Sequence, residues 1–180
     1  MSAFTSNLCR RDADAGIPFP RPTHVTRFSS NPTQIVSASD DQTVRLWDMP
    51  DQSALRVFEG HTDYVRSAVV SPDNPSLVLS GSYDSTVRLW DARVQENDGC
   101  VMTMDHKAPV EDVVIYPTAS GGVALSVGGP VLRAWDLMMG GRCFKAVSNH
   151  QKTITSLVVS METDAIGDTS DIGGGFAGGN

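Results

Sequence analysis

The sequence has few cysteines, no excess of positive charge and no long apolar run. Its three cysteines, Cys9, Cys100 and Cys143, lie far apart and form no Cys-x-x-Cys pair. An odd, scattered set disfavours a disulfide framework or a zinc site and favours free thiols in a reducing compartment. No stretch approaches the roughly 20 apolar residues of a membrane span, and the first residues lack the apolar core of a signal peptide. We therefore expect a soluble, intracellular protein without membrane contact.

The charge balance is acidic, with 21 Asp and Glu residues against 14 Lys and Arg residues and a net charge of −7. A sequence-independent grip on phosphate backbones needs clustered Lys and Arg, so direct RNA binding over a wide surface is disfavoured. The 40% hydrophobic and 19% charged content is typical of a globular protein with a packed core.

One hairpin-like segment occurs twice. "SASDDQTVRLWD" spans residues 37–48, and "SGSYDSTVRLWD" spans residues 80–91 with nine of twelve positions identical. Trp-Asp pairs recur at intervals of 43 and 45 residues, and the histidines His61, His106 and His150 recur at 45 and 44. Two residue types that share one period indicate a structural repeat.

Each repeat is predicted to contain four strands and no helix. In the second unit the strands are expected at residues 67–70, 77–82, 86–91 and 101–104, separated by turns rich in Pro, Asp, Asn and Ser. Segments such as "SAVV" and "LVLSG" are apolar on both faces, which is typical of sheets stacked face to face. The predicted class is all-β.

A unit of about 44 residues with Gly-His near its start and Trp-Asp at its end resembles the WD repeat, the unit of the WD-repeat (WD40) β-propeller. This resemblance implies a hydrogen-bonded network inside a blade, which the second unit can complete with His61, Ser80, Asp84 and Trp90. The other units are less complete. The first lacks a Gly-His pair, the third has Gly128-Gly129 in place of the turn Asp, and the fourth stops after "NHQKTITSLVVS".

We therefore expect an incomplete arc of about three blades from a seven-bladed propeller. Residues 1–23 are predicted to be an irregular N-terminal segment, and residues 161–180 a flexible polar, Gly-rich tail. Residues 24–160 would hold a partial first blade, a complete second, a degenerate third and the start of a fourth. Open blade faces at both ends predict marginal stability alone, or pairing with another chain.

Catalytic and cofactor sites are not favoured. The set of His61, Ser80 and Asp84 could suggest a hydrolase, but the repeat explains their placement as a structural network. Residues 173–178 match G-x-G-x-x-G without a following helix, and repeat-spaced histidines would lie on different blades instead of around one metal ion. We expect no catalytic, cofactor or metal site and no small-molecule substrate.

The order of "FEGHTDYVRS", "VEDVVIYP", "LSVGGPVLRAWDL", "GGRC" and "NHQKTITSL" resembles WD-repeat subunits of the small-subunit processome. That resemblance implies a non-catalytic nucleolar scaffold in ribosome biogenesis, which assembles on nascent pre-rRNA for 18S rRNA processing; some members are also linked to rDNA transcription. The implied partners are other WD-repeat and helical processome subunits, with pre-rRNA or U3 small nucleolar RNA contacted through the complex. The alternative is a WD-repeat adaptor of another system, such as a ubiquitin-ligase substrate receptor or signalling scaffold.

Three side chains are candidates for a partner-binding rim: Tyr64, Arg66 and Tyr83. They lie near strand starts or turns, and aromatic and Arg side chains are favoured anchors in protein interfaces. Ordinary rim residues remain the alternative interpretation. Arg45 and Arg88, which precede Leu-Trp-Asp in their units, are interpreted as structural or solvated strand residues.

Overall fold

The computed structural model describes residues 23–28, 33–95, 99–116 and 122–159. These residues form three four-stranded sheets, which we call blades. The first blade contains β1 (Thr23–Phe28), β2 (Gln34–Ser39), β3 (Val44–Asp48) and β4 (Ser53–Phe58). The second contains β5 (Val65–Val70), β6 (Leu77–Ser82), β7 (Thr86–Asp91) and β8 (Cys100–Asp105). The third contains β9 (Asp112–Tyr116), β10 (Val123–Gly128), β11 (Val131–Asp136) and β12 (Arg142–Val147).

The strands of each blade pair antiparallel in chain order, so every blade is a meander. The first strands of neighbouring blades contact each other: β5 packs against β1 and β2, and β9 packs against β5 and β6. The first strand of each blade therefore lies on the inner side of the arc, and β4, β8 and β12 form the outer edges. This is the arrangement of successive propeller blades.

Each repeated hairpin is set by an Asp-x-Thr turn. Asp84 Oδ1 accepts hydrogen bonds from the backbone N–H of Thr86 at 2.9 Å and from its hydroxyl at 2.7 Å. The residue between them, Ser85, has a φ of 68°, the left-handed conformation that such short polar turns tolerate. Asp41 and Thr43 make the same pair of bonds in the first blade at 2.9 and 2.6 Å. The residues that the two hairpins share therefore form the same turn in both blades.

The core lies between the blades. One cluster packs the first blade against the second and includes Val44, Phe58, Val78 and Trp90. The other packs the second against the third and includes Leu79, Val87, Val113 and Trp135. The second blade is buried on both faces, which explains why its strands carry apolar residues in nearly continuous runs. In β6, the second strand of this blade, one residue is half-buried and five are buried.

Glycine permits the close approach of the second and third blades. A Cβ on Gly81 of β6 would lie 2.5 Å from Val110 Cγ1 and 2.8 Å from Val113 Cγ1. Both valines are fully buried, and the Val110 N–H donates to the Ser82 carbonyl at 3.0 Å. The segment that enters the third blade therefore sits directly against the backbone of β6.

The predicted all-β class and propeller-blade architecture are confirmed. The first blade, expected to be partial, has four strands, since β1 pairs with β2 although its unit lacks the Gly-His marker. Strand pairing is made by backbone N–H and C=O groups, so it does not require that marker. Beyond β12, residues 148–159 form no strand, but the Ile154 N–H donates to the Gly129 carbonyl at 2.8 Å. The predicted irregular segment (apart from Thr23) and the Gly-rich tail lie outside the described residues.

Candidate functional site

The structure brings His61, Ser80, Asp84 and Trp90 together in the second blade. His61 Nδ1 lies 2.7 Å from Asp84 Oδ2, and His61 Nε2 lies 2.7 Å from Ser80 Oγ. The indole N–H of Trp90 donates to the same Ser80 oxygen at 2.8 Å. The loop between β4 and β5 supplies the histidine, β6 the serine, the β6–β7 turn the aspartate and β7 the tryptophan. The network therefore connects the β4–β5 loop to β6, to the β6–β7 turn and to β7.

Every buried polar group of this network has a partner. Asp84 also accepts the backbone N–H of Thr62 at 3.1 Å, in addition to its bonds with Thr86. Burial lowers the pKa of His61, against the opposing effect of Asp84, so the imidazole is neutral at pH 7. Its Nδ1–H then donates to Asp84, and Nε2 accepts the Ser80 hydroxyl proton. Burial opposes ionisation of Asp84, but the bonds from His61, Thr86 and Thr62 outweigh it and lower the pKa of the carboxyl well below its usual range.

This Ser–His–Asp set has hydrogen-bond distances that a hydrolase could use, but not the access. A nucleophilic hydroxyl must reach a substrate carbonyl with an oxyanion site beside it. Ser80 is 0% exposed and its oxygen already accepts the Trp90 N–H. The arrangement can hold a blade together, and it offers no reacting atom to a ligand.

The other two blades contain reduced versions of the network. In the first, the Trp47 N–H donates to Ser37 Oγ at 2.9 Å. In the third, the Trp135 N–H donates to Ser126 Oγ at 2.7 Å, and His106 Nδ1 lies 2.9 Å from the same oxygen. His106 Nε2 faces the Gly128 carbonyl at 3.4 Å, where the second blade has a carboxylate. A backbone carbonyl thus replaces the missing turn aspartate as the second partner of the imidazole.

The arginines before Leu-Trp-Asp lie over the tryptophans of their own blades. The guanidinium carbon of Arg45 lies 5.8 Å from the centre of the Trp47 ring, and that of Arg88 lies 5.8 Å from the Trp90 ring. Cation–π contacts of this kind stabilise partly exposed sites by about 0.5–1 kcal/mol. Their geometry fits the structural interpretation made from the sequence.

The three rim candidates lie at the end of the second blade that also holds Asp84. Tyr64 precedes β5 and is 41% exposed, and its carbonyl accepts the N–H of Tyr83 at 2.9 Å. The guanidinium of Arg66 lies 5.3 Å from the centre of the Tyr83 ring. The Tyr83 hydroxyl donates to Glu111 of the third blade at 2.8 Å, and Arg66 Nε lies 3.7 Å from the same carboxylate. Burial, together with the Glu111 bond, raises the pKa of Tyr83, so its hydroxyl stays protonated at neutral pH.

Two acidic residues at blade junctions were missed by sequence reasoning. Glu111 joins the rim as described, and the buried Asp112 accepts the Ser67 hydroxyl of the second blade at 2.6 Å. The other oxygen of Asp112 accepts the backbone N–H of Leu157 at 2.9 Å and lies 3.3 Å from the Ser156 hydroxyl. Ser67, Asp112 and Ser156 each follow the repeat histidine by six residues. That shared spacing was the signal available in the sequence.

Metal ligation and membrane spanning have no structural counterpart in the part of the chain that is described. Within it, no three His, Cys, Asp or Glu side chains are grouped as metal ligands would be. None of its segments forms an apolar helix long enough to cross a bilayer. Cys100 and Cys143 are both free thiols.

Comparison with protein families agrees with this geometry. The model of the WD domain, G-beta repeat, matches residues 21–48 and 52–91, which end at the first two Trp-Asp pairs. The chain carries WD40 repeats. The resemblance predicted from the residues is therefore confirmed, and His61, Ser80, Asp84 and Trp90 all lie within the second matched segment.

Similarity to curated proteins extends beyond the matched repeats. The WD40 chain is 41% identical over 137 residues to the U3 small nucleolar RNA-associated protein 15 homolog of Xenopus tropicalis, covering 76% of the chain and 26% of that protein. It is 42% identical over 143 residues to U3 small nucleolar RNA-associated protein 15 of Schizosaccharomyces pombe, covering 78% and 28%. It is 44% identical over 142 residues to Protein SLOW WALKER 1 of Arabidopsis thaliana, covering 76% and 26%. The chain thus spans about a quarter of the length of these relatives.

Proposed function

We propose that this WD40 chain acts as a non-catalytic scaffold in ribosome biogenesis, as part of the small-subunit processome that assembles on pre-rRNA for 18S rRNA processing. The observation that carries the proposal is identity of about 40% over three-quarters of the chain to proteins named for association with U3 small nucleolar RNA. The network supports a scaffold over an enzyme, because Ser80 is fully buried and its oxygen already accepts the Trp90 N–H. The nucleolus is the proposed location.

The net charge of −7 favours contact with RNA through protein partners. Other WD-repeat and helical subunits of the complex are the proposed direct partners, and U3 small nucleolar RNA and pre-rRNA are held indirectly. Depletion of the protein should then lower mature 18S rRNA and raise its precursors. The tagged protein should co-purify with U3 small nucleolar RNA, and mild RNase treatment should leave its protein partners attached.

The competing function is a WD-repeat adaptor of another system, and the same purification distinguishes it. Recovery of ubiquitin-ligase or signalling subunits without U3 small nucleolar RNA would overturn the processome proposal. Normal 18S rRNA levels after depletion would do the same.

We further propose that Tyr64, Arg66 and Tyr83 form a partner-binding rim, with Tyr64 as its anchor. Arg66 and Tyr83 are held in place by each other and by Glu111, so they form a preordered platform beside the exposed Tyr64 ring. Preordered aromatic and Arg groups lose little entropy on binding.

The rim is tested with a matched pair of tyrosines. Tyr116, at the end of β9, is 39% exposed, close to the 41% of Tyr64, but lies at the opposite end of its blade. Tyr64→Ala should reduce recovery of protein partners, whereas Tyr116→Ala should leave it unchanged, with both variants melting like the parent. Equal losses, or none, would show that these residues are ordinary surface.

A further inference from the structure

The outer strand of each blade contains a β-bulge directly opposite the tryptophan of the Trp-Asp pair. In the first blade Leu46 pairs with Arg56 and Trp47 with Ala54, which leaves Leu55 as the extra residue. The same shift leaves Val101 unpaired in β8 and Phe144 unpaired in β12. These three side chains are 49%, 47% and 57% exposed. Bulges commonly redirect a side chain, and here each one directs an apolar side chain into solvent.

The bulge position stays exposed when a neighbouring blade follows. Leu55 and Val101 lie on blades that each have a next blade packed against them, and about half of each side chain still faces solvent. Leu55 and Val101 therefore show how exposed Phe144 would be beside a neighbouring blade. A further blade packed on the third would leave the Phe144 ring accessible.

The third blade adds a second apolar feature in the turn that leads into its bulged strand. The β11–β12 turn exposes Met138 by 68% and Met139 by 63%. Asp136 Oδ1 accepts the N–H groups of both methionines at 2.9 and 3.0 Å, and the Asp136 carbonyl accepts the Gly141 N–H at 2.9 Å. The turn backbone is therefore fixed, and the flexible thioethers point outward from it.

This turn is also anchored to the second blade. A Cβ on Gly141 would lie 2.6 Å from Met104 Cγ and 2.7 Å from Met102 Sδ, so its backbone packs tightly on β8. Gly140 and Gly141 have φ values of 69° and 75°, which suit glycine. Because strands alternate in direction, the turn lies at the opposite end of the blade from His106 and from the rim.

The charge around this hairpin differs from that of the whole chain. Residues 137–159 contain no Asp or Glu, in a protein with a net charge of −7. The acidic residue next to this stretch is Asp136, which is the backbone partner of Arg142 across the hairpin and whose Oδ1 accepts the N–H groups of the two turn methionines. Arg142, at the start of β12, is exposed, and no carboxylate among the described residues pairs with it. Lys145 belongs to a different surface. At the equivalent position of the first blade, Arg56 donates to the Val94 carbonyl of the next blade at 2.6 Å, so this position faces a neighbouring blade. Arg142 is the cation that remains at this surface.

We infer that Met138, Met139, Arg142 and Phe144, here called the outer patch, form a docking site for an acidic amphipathic segment of another protein. The two methionines and the phenylalanine supply adaptable apolar surface, and Arg142 selects a carboxylate. The fixed turn lowers the entropy cost of binding. This site is separate from the rim proposed above and does not depend on the processome assignment.

A protein segment fits the outer patch better than a nucleic acid does. Three of its four side chains are apolar, and only one of them is an aromatic ring on which a base could stack. Phosphate backbones are held by several clustered cations, whereas this patch has one arginine. An acidic strand or helix with apolar residues on one face matches both components.

The test uses photo-crosslinking from the patch in cells that express the full chain. A benzophenone analogue of phenylalanine replaces Phe144 in one sample and Val101, the equivalent bulge residue of the second blade, in the control. Crosslinked peptides are identified by mass spectrometry, with and without Arg142→Glu. We expect position 144 to give a recurring segment, rich in Asp and Glu, from another protein, and the control position to lack it.

The affinity of the chain for that segment, made as a synthetic peptide, is then measured for the parent and the variants. Arg142→Glu and Phe144→Asp should each weaken binding by about tenfold or more, the scale of a single interface anchor. Val101→Asp should leave it unchanged, and Arg142→Lys, which keeps the charge but loses the bidentate geometry, should weaken binding less than Arg142→Glu does. All three positions are exposed, and a matching thermal midpoint excludes loss of folding. Crosslinks to RNA, to a second copy, to residues 160–180 of the same chain, or to nothing above the control would overturn the inference.

Discussion

The hydroxyl of Ser67 in β5 donates to the carboxylate of Asp112 in β9 at 2.6 Å, so the inner strands of two successive blades are joined side chain to side chain. The two residues occupy the same place in successive repeats. Asp112 also accepts the N–H of Leu157. Leu157 directly follows Ser156, which is the equivalent residue of the next repeat. One buried carboxylate therefore links three consecutive units of the chain.

Removal of this carboxylate should loosen both junctions. Asp112→Ala leaves the Ser67 hydroxyl and the Leu157 N–H without their acceptor. The orphaned hydroxyl is buried and costs about 1–3 kcal/mol, and the part-buried N–H adds less. Urea unfolding should show the loss of stability, and amide exchange of Leu157 should accelerate more than that of strands in the first blade. Unchanged exchange at Leu157 would contradict the role assigned to Asp112.

The turn aspartates of the first and second blades should differ in their contribution to stability. The Asp84 side chain is 5% exposed and bonds to His61 and Thr62 as well as Thr86, whereas the Asp41 side chain is 29% exposed. Asp84→Asn should lower the free energy of unfolding by about 1–3 kcal/mol, because a buried charge-assisted bond is weakened. Asp41→Asn is the matched control and should cost less. Equal losses in chemical denaturation would show that the imidazole contact adds nothing.

Substitutions at Gly81 and Val110 should partly compensate for each other, because one adds a methyl group where the other removes side-chain volume. Gly81→Ala places a methyl group against Val110 and Val113, and overpacking of this kind costs about 1–3 kcal/mol. Val110→Ala alone should also destabilise the protein, since it leaves a cavity. In the double variant the two losses should sum to less than their separate values, as measured by a double-mutant cycle. If the two losses of stability simply add, the methyl group introduced at position 81 does not contact the side chain at position 110.

Acidification should destabilise the fold through its buried histidines. Burial lowers the pKa of both His61 and His106 from 6.5, although Asp84 opposes this at the former and the Gly128 carbonyl opposes it at the latter. The unfolded chain therefore binds more protons than the native state below about pH 6.5, so stability falls as pH decreases through that region and is constant above it. The lowered pKa of Asp84 adds a further loss only below its ordinary value of 3.8.

The histidine contribution can be isolated with His106→Gln, which cannot titrate. Near His106 lie Ser126, the Gly128 carbonyl, Asp105 and Arg133, and the guanidinium of Arg133 further disfavours a charged imidazole. Urea midpoints between pH 8 and pH 5 should decline less steeply in the variant than in the parent. Parallel curves would assign the acid sensitivity to other groups.

The isolated chain is expected to be marginally stable or to associate. Only the second blade is covered on both faces, so the first and third blades each have one face without a neighbouring blade among the described residues. Gel filtration and thermal unfolding of the purified chain address this. A sharp monomer peak with a single cooperative transition would contradict the expectation.

The sequence by itself determined the repeat, the all-β class, the hairpin turns and the membership of the second blade's network. These are local properties: an Asp-x-Thr turn closes on itself, and a period of about 44 residues places equivalent side chains on equivalent strands. His61 and Asp84 could be paired in advance because the resemblance to the WD repeat implies that network, whereas the period alone relates equivalent positions of different units.

Only the tertiary structure decided what lies between and outside the blades. The links through Asp112 and Glu111 depend on how two sheets are placed relative to each other, which no period within one sheet specifies. The bulge that exposes Phe144 is a one-residue slip in register, and the sequence of β12 reads equally well as an unbroken strand. The pairing of β12 with β11 decides which residue is left over, and that pairing forms only in the folded chain.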